Sequence, residues 1–208
     1  MSFTALGIVL GLLMGLRHAF EPDHLSAVST LIGETERPRH GAMLGAWWGL
    51  GHTISLLVVG VVLTVLGATL PPRAAVGFEL VVSAMLLVLG TRALVRATRG
   101  GATHAHTHDL TPVARRRLRP LAIGLVHGLA GSGALTALVF AQLPGTAARM
   151  FYIALFGIGS IAGMTLASGV ASTALQRVRS GHMRRVLNMT SGVVSITVGV
   201  IWAILLLA

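Results

Sequence analysis

Six apolar stretches, each long enough to cross a bilayer, dominate the sequence. They run from Phe3 to Ile32, Gly41 to Leu66, Ala74 to Val95, Leu118 to Gln142, Met150 to Leu175 and Val186 to Ala208. A spanning helix takes about 20 residues. Turn signals separate several of the runs: Pro71-Pro72, Gly100-Gly101, Pro144-Gly145 and Ser180-Gly181. The expectation is an all-α integral membrane protein with six transmembrane helices in one domain, residues 1–208. Composition points the same way. Hydrophobic residues make up 54% of the chain, and charged ones 11%, against about 25% in a soluble domain. Mean hydropathy is +0.82. A soluble globular enzyme and the disordered and fibrous classes are excluded. No basic residue precedes the first run and no cleavage-site pattern follows it, so a cleaved signal peptide is not expected.

Charge sets the orientation. All 16 basic residues are arginine, against 6 acids. Thirteen arginines fall in the gaps after runs one, three and five or within a few residues of their edges, and only Arg73 and Arg149 fall in the alternate gaps. By the positive-inside rule the thirteen face the cytoplasm, which puts the N- and C-termini outside the cytoplasmic membrane. Arg17 lies inside a run. The arginines serve topology in short gaps, so nucleic acid is not an expected partner; the lipid bilayer is. The absence of cysteine removes disulfides, thiolate ligands and thiol catalysis together.

The two halves of the chain resemble each other at a spacing of 108 to 109 residues. Gly15-Leu16-Arg17-His18 matches Gly124-Leu125-Val126-His127, Gly49 and Gly51 match Gly157 and Gly159, Gly60 matches Gly169, and Gly90 matches Gly199. Three spans per half is an odd number, so the second copy is inverted: a 3+3 inverted repeat, with halves at about 1–98 and 118–208 and a His/Arg-rich cytoplasmic loop over 99–117. Glycines four apart, as in Gly41-x3-Gly45-x3-Gly49 and Gly124-x3-Gly128, let helix backbones approach closely.

Chemistry concentrates in Arg17-His18-Ala19-Phe20-Glu21-Pro22-Asp23-His24, with five ionisable residues inside an apolar run. A charge at membrane depth costs at least about 2.5 to 3.5 kcal/mol, so these residues need partners and a purpose. A straight helix over 3–32 would be about 45 Å long, against a core of about 30 Å. It would also spread the residues, with Asp23 about 140° and His24 about 240° around from His18. Pro22 changes this. It lacks an N–H and clashes with the carbonyl four residues back, that of His18. An opened turn there brings His18, Asp23 and His24 around one point, with Glu21 and Pro22 shaping it. Arg17 either neutralises Glu21 or Asp23 or reaches for the cytoplasmic headgroups. His52 and His127 lie about 16 Å and 14 Å into their spans, near the midplane. Imidazole and carboxylate without thiolate suit Ni(II), Co(II) or Zn(II) rather than Cu(I).

His18-x4-Asp23-His24 resembles the HX4DH signature of the nickel/cobalt transporter superfamily. Gly124-Leu-Val-His127-Gly-Leu-Ala-Gly131-Ser132-Gly133-Ala134 and Phe156-Gly-Ile-Gly-Ser-Ile-Ala-Gly-Met164 are similar to its short urease accessory, UreH-like branch. The resemblance implies a secondary transporter, not an enzyme, that carries nickel or cobalt and holds no permanent cofactor. It implies His18, Asp23 and His24 as the metal site, which His52 and His127 complete or gate, with Gly131, Ser132 and Gly133 shaping it. Urease or other nickel-enzyme maturation proteins are the implied partners. The family's later acidic motif has no counterpart around Phe156 to Met164.

Uptake and efflux use the same ligands, and export of a small organic solute within the superfamily is an alternative. An intramembrane serine protease built on Ser132 is a remote one, since run six carries no histidine base and His182 precedes it. Trp47 and Trp48 lie too deep for an interfacial belt and are expected to pack; Glu79 is expected at the outer interface. In the loop, His104, His106 and His108 alternate as an accessory metal-collecting tract. The topology predicts that a cysteine replacing Ala105 is shielded from an impermeant thiol reagent in whole cells. Labelling from outside would overturn the orientation. For an exporter, replacing the three histidines with alanine lowers apparent export affinity; for an importer it leaves uptake at low external nickel unchanged.

Overall fold

A computed structural model of the chain describes residues 3–32, 38–99, 117–130, 143, 145–178 and 180–208, with only the backbone described at 3–8 and 38. Among the described residues the fold is all helical. The helices are α1 (Phe3–His18), α2 (Pro22–Ile32), α3 (Pro38–Leu66), α4 (Pro72–Thr98), α5 (117–130), α6 (Thr146–Arg177) and α7 (Gly181–Leu207). Four of them are long and apolar enough to cross a membrane: α3 from Arg39, α4, α6 and α7. Their outer faces are apolar, with Val58, Val88, Val170 and Leu205 all exposed.

The run expected as one span from Phe3 to Ile32 is two helices. The Ala19-Phe20-Glu21 segment interrupts it. There the Phe20 N–H donates to the Arg17 carbonyl (2.9 Å) and the Glu21 N–H to the His18 carbonyl (3.0 Å). Both are three-residue links that tighten the end of α1. Pro22 then opens α2, where a missing N–H breaks no helical bond. Seven of the eleven residues of α2 are buried. The apolar ones pack with Trp48 of α3, Val82, Leu86 and Leu89 of α4 and Met164 of α6; in the break itself Ala19 is buried, while Phe20 and Glu21 are exposed. The fourth run is described only as far as Ala130. The sixth starts earlier than expected: Ser180 caps α7 by accepting from the Met183 N–H (3.4 Å), so His182 lies in its first turn rather than in a loop.

Glycine makes the helix contacts. α1 runs parallel to α6, with Gly15 against the Phe156 carbonyl and Gly159 against that of Leu12. α3 runs antiparallel to α6, with Gly45 against Met164 and Gly157 against Thr53. α5 lies parallel to α3, with Gly124 against the Trp48 carbonyl and Gly128 against that of His52. α4 and α7 pair antiparallel, Gly90 facing the Gly192 carbonyl and Gly199 that of Ser83. Buried hydroxyls tie these seams: Thr53 donates to the Gly157 carbonyl (3.1 Å), Ser55 to that of Leu125 (2.7 Å) and Ser195 to that of Leu86 (2.9 Å).

A Cβ at Gly159 would overlap the Leu12 carbonyl, while one at Gly77 would meet open space. Gly159→Ala is therefore expected to destabilise the bundle by about 1 to 3 kcal/mol, and Gly77→Ala to shift stability by no more than about 0.5 kcal/mol. Thermal unfolding of the detergent-solubilised protein measures both, and equal melting temperatures would refute the packing assignment.

Candidate metal centre

The break between α1 and α2 positions the site. His18 ends α1, Asp23 lies in the first turn of α2, and His24 follows it. α3 contributes His52 and α5 contributes His127, each beside a backbone approach that glycine permits. His24, His52 and His127 are at most 1% exposed. The four imidazoles form one cluster. Ring centres lie 4.4 Å apart for His18 and His24, 5.1 Å for His18 and His52, 4.0 Å for His24 and His127, and 6.3 Å for His52 and His127.

Carboxylates orient three of the rings. His24 Nδ1–H donates to Asp23 Oδ1 (3.1 Å), and His127 Nε2–H donates to Asp23 Oδ2 (2.7 Å). His18 Nδ1 pairs with Glu21 Oε2 at 3.0 Å. An ionised carboxylate only accepts, so each bonded nitrogen carries the proton. In a neutral ring the opposite nitrogen then presents its lone pair. Those nitrogens are His18 Nε2, His24 Nε2 and His127 Nδ1, all buried with no hydrogen-bond partner among the described residues; both nitrogens of His52 share that state. Buried polar atoms are ordinarily satisfied, and a cation is one partner that imidazole lone pairs can share. A carboxylate behind a ligating imidazole is the usual way to fix its tautomer. Two groups, His18–His24–His52 and Asp23–His24–His127, each offer ligand atoms within 4.8 Å of one another.

The structure thus brings together all five side chains that the sequence singled out as a metal site. Arg17 is exposed and makes no ion pair with Glu21 or Asp23, whose partners are histidines. This corrects its reading as their counter-charge. Glu21, half exposed, bonds His18, and Pro22 opens α2. Gly131, Ser132, Gly133, His104, His106 and His108 lie outside the described residues. Two aromatic walls were not anticipated. Trp48 is fully buried, stacked on His24 at 5.5 Å and edge-on to His127 at 5.6 Å; Phe156 packs on His18 at 5.2 Å. The signal for Trp48 was its place four residues before His52, on the same helical face. Trp47 instead packs beneath the guanidinium of Arg117, 5.4 Å away.

The sequence matches the NicO family, described as high-affinity nickel-transport protein, over residues 4–95. It is 30% identical over 167 residues to the urease accessory protein UreH of Bacillus sp. (strain TB-90), covering 76% of this chain and 72% of that one. It is also 28% identical over 202 residues to the chloroplast protein FOR GROWTH AND FERTILITY 2 of Arabidopsis thaliana, covering 91% of this chain and 54% of that protein. No solved structure matches.

Trp48 makes an optical reporter of the cluster. In a Trp47→Phe, Trp202→Phe background it is the only tryptophan left. Adding Ni(II) is expected to quench its emission, and His24→Ala to abolish the quenching. Full quenching in His24→Ala would place the ion elsewhere.

Proposed function

The chain belongs to the NicO family of high-affinity nickel-transport proteins, and on that premise we propose that its buried histidine cluster is the station through which Ni(II) crosses the cytoplasmic membrane. The protein is a multi-pass membrane transporter and not an enzyme, which removes the serine-protease reading. What carries the proposal is the gathering of His18, His24 and His52, whose buried imidazoles all carry nitrogens without a partner among the described residues, beside the Asp23–His24–His127 group. Neutral imidazole and carboxylate are the ligating forms, and nitrogen with oxygen donors suits Ni(II) and also Co(II). Protons compete for the same lone pairs, so apparent affinity falls on acidification.

The architecture proposed for this work is six crossings in two inverted halves, with α1 and α2 together as the first. Paired contacts at the 108 to 109 spacing support it. Gly15 meets the Phe156 carbonyl as Gly124 meets that of Trp48, and Gly51 meets Leu121 as Gly159 meets Leu12. His18 against Phe156 is matched by His127 against Trp48. Opposed directions agree as well, since α1 lies parallel to α6 and α5 parallel to α3, while α3 and α6 are antiparallel. The direction proposed is uptake. Its support is the name of the relative, a urease accessory protein, which fits supply of the ion to an enzyme inside the cell; nickel-enzyme maturation proteins are then the proposed recipients. The loop histidines His104, His106 and His108 would receive the ion after passage.

Nickel accumulation in cells expressing each variant tests the site. His18→Ala, Asp23→Ala and His24→Ala are each expected to lower uptake at low external nickel by at least about tenfold. Membrane insertion, followed by immunoblot of the membrane fraction, is expected to stay normal, because removing polar groups from a span eases insertion. Undiminished nickel and cobalt flux in all three variants would rule the site out.

A further inference from the structure

The geometry points to two alternative stations for a single ion, which share His24 and are occupied in turn. The inference rests on the nickel-transport reading and adds how the ion moves through the cluster. The two ligand groups, His18–His24–His52 and Asp23–His24–His127, have only His24 in common. Its two nitrogens are in different states. Nδ1 is bonded to Asp23, which also holds His127, whereas Nε2 is buried without a partner among the described residues, as are His18 Nε2 and both nitrogens of His52. The lone-pair directions of one imidazole diverge, so an ion takes one nitrogen of His24 or the other.

Before the ion arrives, the two groups differ. In the Asp23 group the atoms that face one another are already bonded, both carboxylate oxygens to His24 Nδ1 and His127 Nε2, and only the far nitrogens, His24 Nε2 and His127 Nδ1, are without a partner among the described residues. The three-histidine group lacks a partner among the described residues at His18 Nε2, His24 Nε2 and His52. The three-histidine group is therefore the ready station, while Asp23 holds His24 and His127 from behind. The second station opens when the ion takes the place of the protons facing Asp23. As the ion passes from Nε2 to Nδ1 of His24, the proton on Nδ1 passes to Nε2; the proton on His127 Nε2 passes likewise to Nδ1. No net charge is gained or lost beyond the ion's own. A neutral imidazole offers one lone pair, its other nitrogen carrying the proton, so His24 serves one station at a time and the stations exclude each other. Phe156 of α6 packs on His18, in the first group only, while Trp48 of α3 packs on His127 and on the shared His24.

The test compares His52→Gln, which removes a ligand of the first station, with His127→Gln, which removes one of the second. Each is purified in detergent, and monodisperse elution confirms its fold; should a glutamine variant aggregate, alanine at the same position replaces it. Equilibrium dialysis with Co(II) gives stoichiometry, the Co(II) visible spectrum reports the ligand set, and proteoliposomes give Ni(II) flux. The wild type is expected to bind one ion. Each variant is expected still to bind one ion through its surviving station, the two with different spectra, while flux falls at least tenfold in both. His24→Gln, common to both stations, is expected to bind none at the same Co(II) concentration. Two ions bound by the wild type, identical spectra in the two variants, loss of binding in either variant, or flux that survives either substitution would each overturn the two-station scheme. A wild type that binds neither Co(II) nor Ni(II) would instead defeat the nickel-transport assignment of the cluster itself.

Discussion

A carboxylate enclosed by a membrane bundle must find donors, and Asp23 finds them in two histidines. One is its neighbour in sequence, His24; the other, His127, arrives from α5, 104 residues away. At 2.7 Å that second bond is short, as charge-assisted bonds are. It joins the start of α2 to α5. The position of Asp23 in the first turn of α2 adds the favourable end of a helix dipole to the same oxygens. Both contributions depend on the break at Ala19-Phe20-Glu21, because a continuous helix has no N-terminus at this depth and would turn Asp23 and His18 to different faces. The interruption thus generates a helix end, and the helix end makes a buried acid tolerable.

Close backbone packing serves the same cluster. His52 and His127 come from α3 and α5, and those helices touch through Gly124 on the Trp48 carbonyl and Gly128 on the His52 carbonyl. A larger residue at either glycine would push the two histidines apart. Dispersion between closely fitted surfaces and hydroxyl-to-carbonyl bonds must hold such a bundle, because lipid supplies no hydrophobic drive between helices. The glycine seams and the Ser55, Thr53 and Ser195 bonds supply both. The packing that stabilises the fold is therefore also what sets the spacing of the imidazoles.

The apolar runs made most of the helices legible, since length and hydropathy act locally; α4 and α6 extend only a few residues beyond their runs. The break was legible too, because Pro22 acts on its own backbone. What the 3–32 run concealed was that Pro22 would begin a second helix short enough to lie inside the protein. The gathering of His18, Asp23, His24, His52 and His127 was readable from residue type and depth. Who bonds whom was not. Arg17 had the right charge to neutralise Asp23, yet tertiary packing brought the N–H of His127 to that carboxylate and left Arg17 outside. The same reason hid Trp48: its spacing from His52 placed it on the right face, but only the approach of α5 turns an ordinary packed tryptophan into a wall of the site.

A transport site must release what it binds. Metal sites built on one rigid element hold their geometry whatever the rest of the protein does. Here the proposed donors come from the end of α1, the start of α2, the middle of α3 and from α5, four separate helices. Any relative shift of these helices changes how many nitrogens can reach one ion at once. An ion that prefers the arrangement with more ligands biases the helices towards it, and helices that move apart weaken its hold. The differential affinity needed for a cycle then resides in the division of the ligands among helices. The short α2 is the piece best placed to carry that difference: it bears two of the five side chains proposed as ligands, and a three-residue segment joins it to α1.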